Sequence, residues 1–174
     1  MKRITMRDFN WMGKPSVWHK DYRQLSLTVD GHMSLPHGPL LLAVSDEQFL
    51  FEATISVPSP GCFSGLCIYH LDSTYAALGR SRSQLETHTC IASHTSHTVV
   101  DLPTEAEELI YSLKRTGNRL YIGCRQTKEE HTTWTAEVSL PGIELSVSFG
   151  PYFTNSGDQP YEGWMHTVRY AKQG

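Results

Sequence analysis

The sequence predicts an all-β fold, an antiparallel two-sheet sandwich built as one domain over residues 1–174. Three observations carry this expectation. Apolar and polar residues alternate with a period of two through most of the chain. Gly and Pro punctuate these runs at short intervals, as they do between the strands of sandwiches and barrels. No stretch sustains helical spacing for more than about one turn.

The elements follow in chain order. Leu25, Leu27 and Val29 alternate with Ser26 and Thr28, and Asp30-Gly31 turns the chain. Over residues 49–57, Phe49, Phe51, Ala53, Ile55 and Val57 share one face, while Glu52, Thr54 and Ser56 share the other. Such a strand packs on one side only. Pro58-Ser59-Pro60-Gly61 ends it, because proline cannot continue the ladder. Residues 63–71 are apolar at their centre, which suits a central strand, and a turn at Asp72-Ser73 leads into residues 73–80. Residues 84–93 read as one more strand, ending in a polar loop rich in Ser, Thr and His.

The clearest hairpin joins residues 109–115 to 119–125, because Gly117-Asn118 supplies the positive φ of a tight turn. Residues 134–140, closed by Pro141-Gly142, then 145–149 and 164–170, complete the series. Thr104-Glu105-Ala106-Glu107 resembles a capping box, and Leu102, Ala106, Leu109 and Leu113 have helical spacing. The hairpin that follows limits any helix there to one turn.

Composition narrows the function classes. Fifteen Lys and Arg against eighteen Asp and Glu leave a net charge of −3, so the chain is not a dedicated nucleic-acid binder. No apolar run approaches the ~20 residues that span a bilayer; the longest lies around residues 40–44. Met1–Asp8 carries charges with no apolar stretch behind them, unlike a signal peptide. The expected compartment is therefore the cytoplasm, with Cys62, Cys67, Cys90 and Cys124 as reduced thiols and small buried hydrophobes.

Four stretches carry a family resemblance. They are Phe9-Asn10-Trp11-Met12-Gly13-Lys14-Pro15-Ser16-Val17-Trp18, then Phe49–Ile55, then Gly65–Tyr69 followed by Tyr75–Gly79, and finally Val147–Asn155. In that order they resemble the concanavalin A-like lectin and glucanase superfamily. Within it they are similar to the jelly-roll domains of the YesU and regulation-of-enolase type, and to the C-terminal jelly-roll domain of bacterial β-xylosidases. The resemblance spans residues 9–170. It implies two antiparallel sheets and a concave face on which relatives hold sugars. It implies no particular activity.

The expected function is saccharide binding on that concave face, without catalysis. Aromatic rings stack on sugar rings while polar neighbours read the hydroxyls. Trp11, Trp18, His70, Tyr75, Arg80, Tyr152 and Asn155 are the candidate ligand-binding residues. Trp11 and Trp18 stand before the first strand, and Tyr152 and Asn155 in a loop after Gly150-Pro151. The partner expected is an oligosaccharide, with no nucleic acid, no membrane and no cofactor.

Two other classes compete. A glycosidase needs two carboxylates ~5.5 Å apart for retention or ~6.5–9.5 Å apart for inversion. Glu52 and Glu137, both on non-core faces, are the candidates, with Glu162 a third. The compact Glu-x-Asp-x-x-Glu strand of some superfamily glucanases is missing here, and face residues or ion-pair partners describe these glutamates equally well. A protein–protein module is the remaining class.

Metal chemistry is the weaker expectation. His88, Cys90 and His94 would point the same way if their segment were one strand, and imidazole with thiolate suits zinc or copper. No second ligand pair at zinc spacing accompanies them, and no metal site is expected. Asp21, Asp30 or Asp158 could hold a structural calcium, but no Asp-x-Asp-x-Asp spacing is present.

Overall fold

The computed structural model describes residues 4–35, 37–102, 108–139 and 146–174. One 3-10 turn, Met6–Asp8, precedes fourteen strands: β1 Asn10–Met12, β2 Trp18–Lys20, β3 Gln24–Val29, β4 Leu40–Ser45, β5 Phe49–Ile55, β6 Ser64–Leu71, β7 Thr74–Arg80, β8 Gln84–Ile91, β9 His94–Asp101, β10 Leu109–Thr116, β11 Arg119–Gln126, β12 Thr133–Val138, β13 Val147–Phe153 and β14 Tyr161–Lys172. They form two seven-stranded sheets. The first runs β1-β4-β13-β6-β7-β8-β9 and the second β12-β11-β10-β5-β14-β3-β2. Every pairing is antiparallel. The predicted two-sheet antiparallel sandwich is therefore the observed fold.

The period of two explains which face each strand buries. Leu25, Leu27 and Val29 of β3 and Phe49, Phe51, Ala53 and Ile55 of β5 all turn from the same sheet into one shared core. Phe149 of β13 joins the sheets: its ring stacks on Phe49 at 4.9 Å and lies 5.1 Å from Phe51 and 6.0 Å from Phe9. The hairpin at 116–119 forms as expected, with Gly117 at φ 58° between β10 and β11.

The strand pattern departs from expectation at several points. The segment after residue 91 is not a loop: Ala92 and Ser93 form a two-residue turn with φ 48° and 69°, and β9 returns along β8. The apolar run near residue 40 is β4. Gly150-Pro151 does not end its strand, because β13 continues to Phe153. Pairing of β13 with β4 stops at Phe149, so Pro151 sits where a ladder bond on that side is not required. The capping-box segment, with Glu105 and Glu107, and the turn at Pro141-Gly142 lie outside the described residues.

The two sheets expose outer faces of different kinds. A second, smaller apolar cluster of Leu40, Leu42, Cys67, Ala77 and Tyr152, with Leu35, Phe63 and Tyr69 packed on it, covers the outside of the first sheet. A cleft opens beside it. No helix among the described residues is long and apolar enough to cross a membrane.

Candidate functional site

The cleft has a volume of about 550 Å³, within the range of small-molecule sites. Its floor is one register row of the first sheet. Tyr152 pairs with Gly65, Gly65 with Gly79, and Gly79 with Glu86. Tyr152 and Glu86 thus stand three strands apart, roughly 14 Å at the usual strand spacing. The phenol ring spans that gap because both intervening positions are glycine. A Cβ at Gly79 would lie 2.0 Å from the Tyr152 hydroxyl oxygen.

At the end of this span, Tyr152 Oη donates to Glu86 Oε1 at 2.9 Å. The other carboxylate oxygen, Oε2, lies 2.8 Å from His97 Nε2, which reaches over from β9. Glu86 and Tyr152 are buried, whereas half of the His97 side chain is open to solvent. Burial, and then the Glu86 charge, raise the Tyr152 pKa well above the ordinary phenol value, so the hydroxyl remains a donor.

His88 stands beside His97 in the next row, with ring centroids 5.5 Å apart, and Tyr75 meets it edge-on at 5.4 Å. Burial first, and the His97 imidazole second, lower the His88 pKa below 6.5, against a smaller opposing pull from Glu86. The walls come from β9, through Thr95 and His97, and from loops. His32, Met33, Ser34 and Leu35 enter from the β3–β4 connection, Gly61 and Phe63 from before β6, and Thr154, Asn155 and Ser156 from after β13.

Of the predicted ligand-binding residues, the structure brings Tyr152 and Asn155 to this cleft. Tyr152 does so from within a strand, not a loop. Asn155 is buried and its amide is fully engaged: Nδ2 donates to the Val29 and Gln159 carbonyls, and Oδ1 accepts from Gly157 N and Cys62 Sγ. It holds the wall by pairing with Met33. Tyr75 is on the cleft's sheet face but buried behind His88.

The other four are elsewhere. Trp11 and Trp18 meet edge-to-face at 5.5 Å on the edge strands β1 and β2, at the side of the sandwich away from β8 and β9. They close that edge, with Trp11 packed on the main core. His70 is exposed at the irregular end of β6. Arg80 is buried on the interior side of β7 with Ala76 and Leu78, and donates to the Ser81 and Arg82 carbonyls.

Glu52 and Glu137 lie on the outer face of the second sheet, on β5 and β12, three strands or roughly 14 Å apart. The row through Glu52 runs by way of Ser112 and Gly123 to Trp134, three residues from Glu137, so the two are separated along the strands as well as across them. Glu52 is buried beside Ser112 and Arg125, Glu137 pairs with Arg119, and Glu162 accepts from Thr28. The turn at Ala92-Ser93 also separates the metal candidates. His88 and Cys90 share the outer face, while His94 pairs with Ile91 on the inner one. Asp21, Asp30 and Asp158 each serve a different partner: the Arg23 and Gln24 amides, the Ser16 hydroxyl, and His32. Among the described residues no group of three metal-ligating side chains converges.

Glu86 and His97 were missed from sequence. The signal was the pairing of 84–91 with 94–101, which puts Glu86, His88, Cys90, Thr95 and His97 on one face. Ala-Ser is a poor turn dipeptide, and it hid that pairing.

No family model and no curated protein matches the sequence. Solved structures do match. A functionally unknown protein from Saccharomyces cerevisiae superposes over 98% of this chain and 99% of its own, with a TM-score of 0.80 and 11% identity. The GH43 protein BlXynB from Bacillus licheniformis, in a mutant form, matches 99% of this chain with a TM-score of 0.74 and 10% identity. Xylan β-1,4-xylosidase from Bacillus halodurans matches 85% of it with a TM-score of 0.65 and 12% identity. The matched part is 38% of the first enzyme and 33% of the second. The likeness is one of fold: the chain is a β-sandwich of the kind that forms part of these glycoside hydrolases.

Proposed function

We propose that the protein binds a saccharide in the cleft on the outer face of its first sheet and performs no chemistry on it. The observation that carries this reading is the Tyr152–Glu86–His97 array on the cleft floor. A buried carboxylate held by two donors keeps further lone pairs for ligand hydroxyls. Phe63, Leu35 and Met33 offer apolar surface beside it for the faces of sugar rings. The fold shared with GH43 enzymes supports the same assignment. So does the motif resemblance to the YesU and regulation-of-enolase type, which we take as the chain's kinship. Residues 1–174 act as one domain in this reading. Glu86 is the only carboxylate among the described lining residues, so the cleft lacks the carboxylate pair of a glycosidase.

Thermal unfolding against a panel of neutral xylo-, cello- and arabino-oligosaccharides tests it. A ligand at one hundred times its dissociation constant stabilises by about 2.7 kcal/mol, or roughly 5–10 °C for a chain of this size. The rise should vanish in Phe63→Ala. A flat melting temperature across the whole panel would refute the assignment.

A further inference from the structure

We propose that the cleft is selective by charge: it takes neutral sugar segments and rejects those bearing a carboxylate or sulfate on each ring. The inference rests on the saccharide reading above and names the ligand class of that same site. Among the described lining residues there is no lysine and no arginine. The one carboxylate among the described lining residues is that of Glu86, and it sits buried at the floor, where water screens it least. Asp158, which is not among the described lining residues, pairs with the lining residue His32 at 2.6 Å. An anionic ring entering the cleft therefore meets negative charge at the floor and finds no compensating fork of donors. Sites that accept carboxylate or sulfate sugars supply Arg or Lys for that purpose.

The carboxylate does more than repel. Both its oxygens already hold one donor, Tyr152 Oη and His97 Nε2, so its orientation is fixed. What remains is acceptor capacity only, which suits hydroxyl groups, because they can donate, and excludes groups that can only accept. Burial holds the His88 pKa below 6.5, so this imidazole adds no formal charge at about pH 8, the condition chosen for the test.

Three β-1,4-linked hexamers that differ only at C5 make the test: xylohexaose, cellohexaose, and the glucuronate hexamer in which each CH2OH is a carboxylate. Titration calorimetry at about pH 8 and low salt measures each affinity. The glucuronate hexamer should bind at least tenfold more weakly than the tighter of the two neutral hexamers. Thr95→Lys adds a cation to the cleft wall on the exposed strand β9, away from the core, and should close most of that gap. Glu86→Gln should do the same from the floor. Equal or tighter binding of the glucuronate hexamer would overturn the charge selectivity alone. A gap unchanged in Thr95→Lys would also overturn it, since the discrimination would then be steric. If none of the three binds, the saccharide reading falls and this inference with it.

Discussion

Glu86 is the residue on which the site turns, and Tyr152 is what keeps it in place. Tyr152→Phe removes the hydroxyl and leaves the buried carboxylate short of a donor. The expected loss is about 1–3 kcal/mol of stability, read as a lower urea midpoint at unchanged slope. An unshifted midpoint would mean that water replaces the phenol without cost. His88 gives the pH dependence. The unfolded chain takes a proton on this residue near 6.5, whereas burial in the folded protein resists it. A depressed folded value means that stability is present above pH 6.5 and is lost as pH falls through the folded value. The urea midpoint should therefore drop between pH 7.5 and 5.5, and His88→Gln should shrink that drop. An equal drop in the variant would assign the effect to other groups. From sequence, Tyr152 was recognisable as a ring next to a Gly-Pro pair. Its role was not, because that role depends on Gly65 and Gly79 lying in register beneath it. Single residues show their chemistry in sequence, but not which strand they face.

At the scale of elements, the β8–β9 hairpin has the least favourable turn in the molecule's described part. Ala92 and Ser93 both adopt positive φ, a conformation that costs a side-chain-bearing residue and favours Asn-Gly. Ala92→Asn with Ser93→Gly should raise stability by about 0.5–1 kcal/mol, read by thermal unfolding. No gain would show that the hairpin opens independently of the global transition. The same turn explains why the sequence reading stopped at residue 93. Where turn chemistry was conventional, as at Gly117-Asn118, the hairpin was legible. Where tertiary pairing imposed the turn on poor formers, it was hidden. The Trp11–Trp18 pair is a parallel case. Two tryptophans outside any periodic strand suggest a ligand platform, yet here they seal an edge that the sheets leave open.

For the whole molecule, the alternation of Leu25–Val29 and Phe49–Ile55 was enough to give strands that pack one face on a shared core. That pattern reports only which residues point inward, and it is silent on strand order. Strand order decides whether two outward-facing groups meet. Glu52 and Glu137 share a face but stand three strands apart in different rows, while Glu86 and Tyr152, as many strands apart but in one row, touch across two glycines. The core itself hangs on Phe149, which contacts both sheets. Phe149→Ala should cost about 3–5 kcal/mol in a urea titration. A loss below about 1 kcal/mol would mean that the Phe9, Phe49 and Phe51 rings close the gap unaided.

The two strands that contribute floor and wall differ in how freely they may vary. On β13, Tyr152 serves the cleft while its neighbours Phe149 and Phe153 serve the core, so a substitution there is punished on one side or the other. All eight residues of β9 are exposed, and two of them, Thr95 and His97, line the cleft. Mutations on β9 reach the cleft without reaching the core. Descendants of this chain could therefore reshape the cleft through Thr95 alone, with the melting temperature left almost where it began.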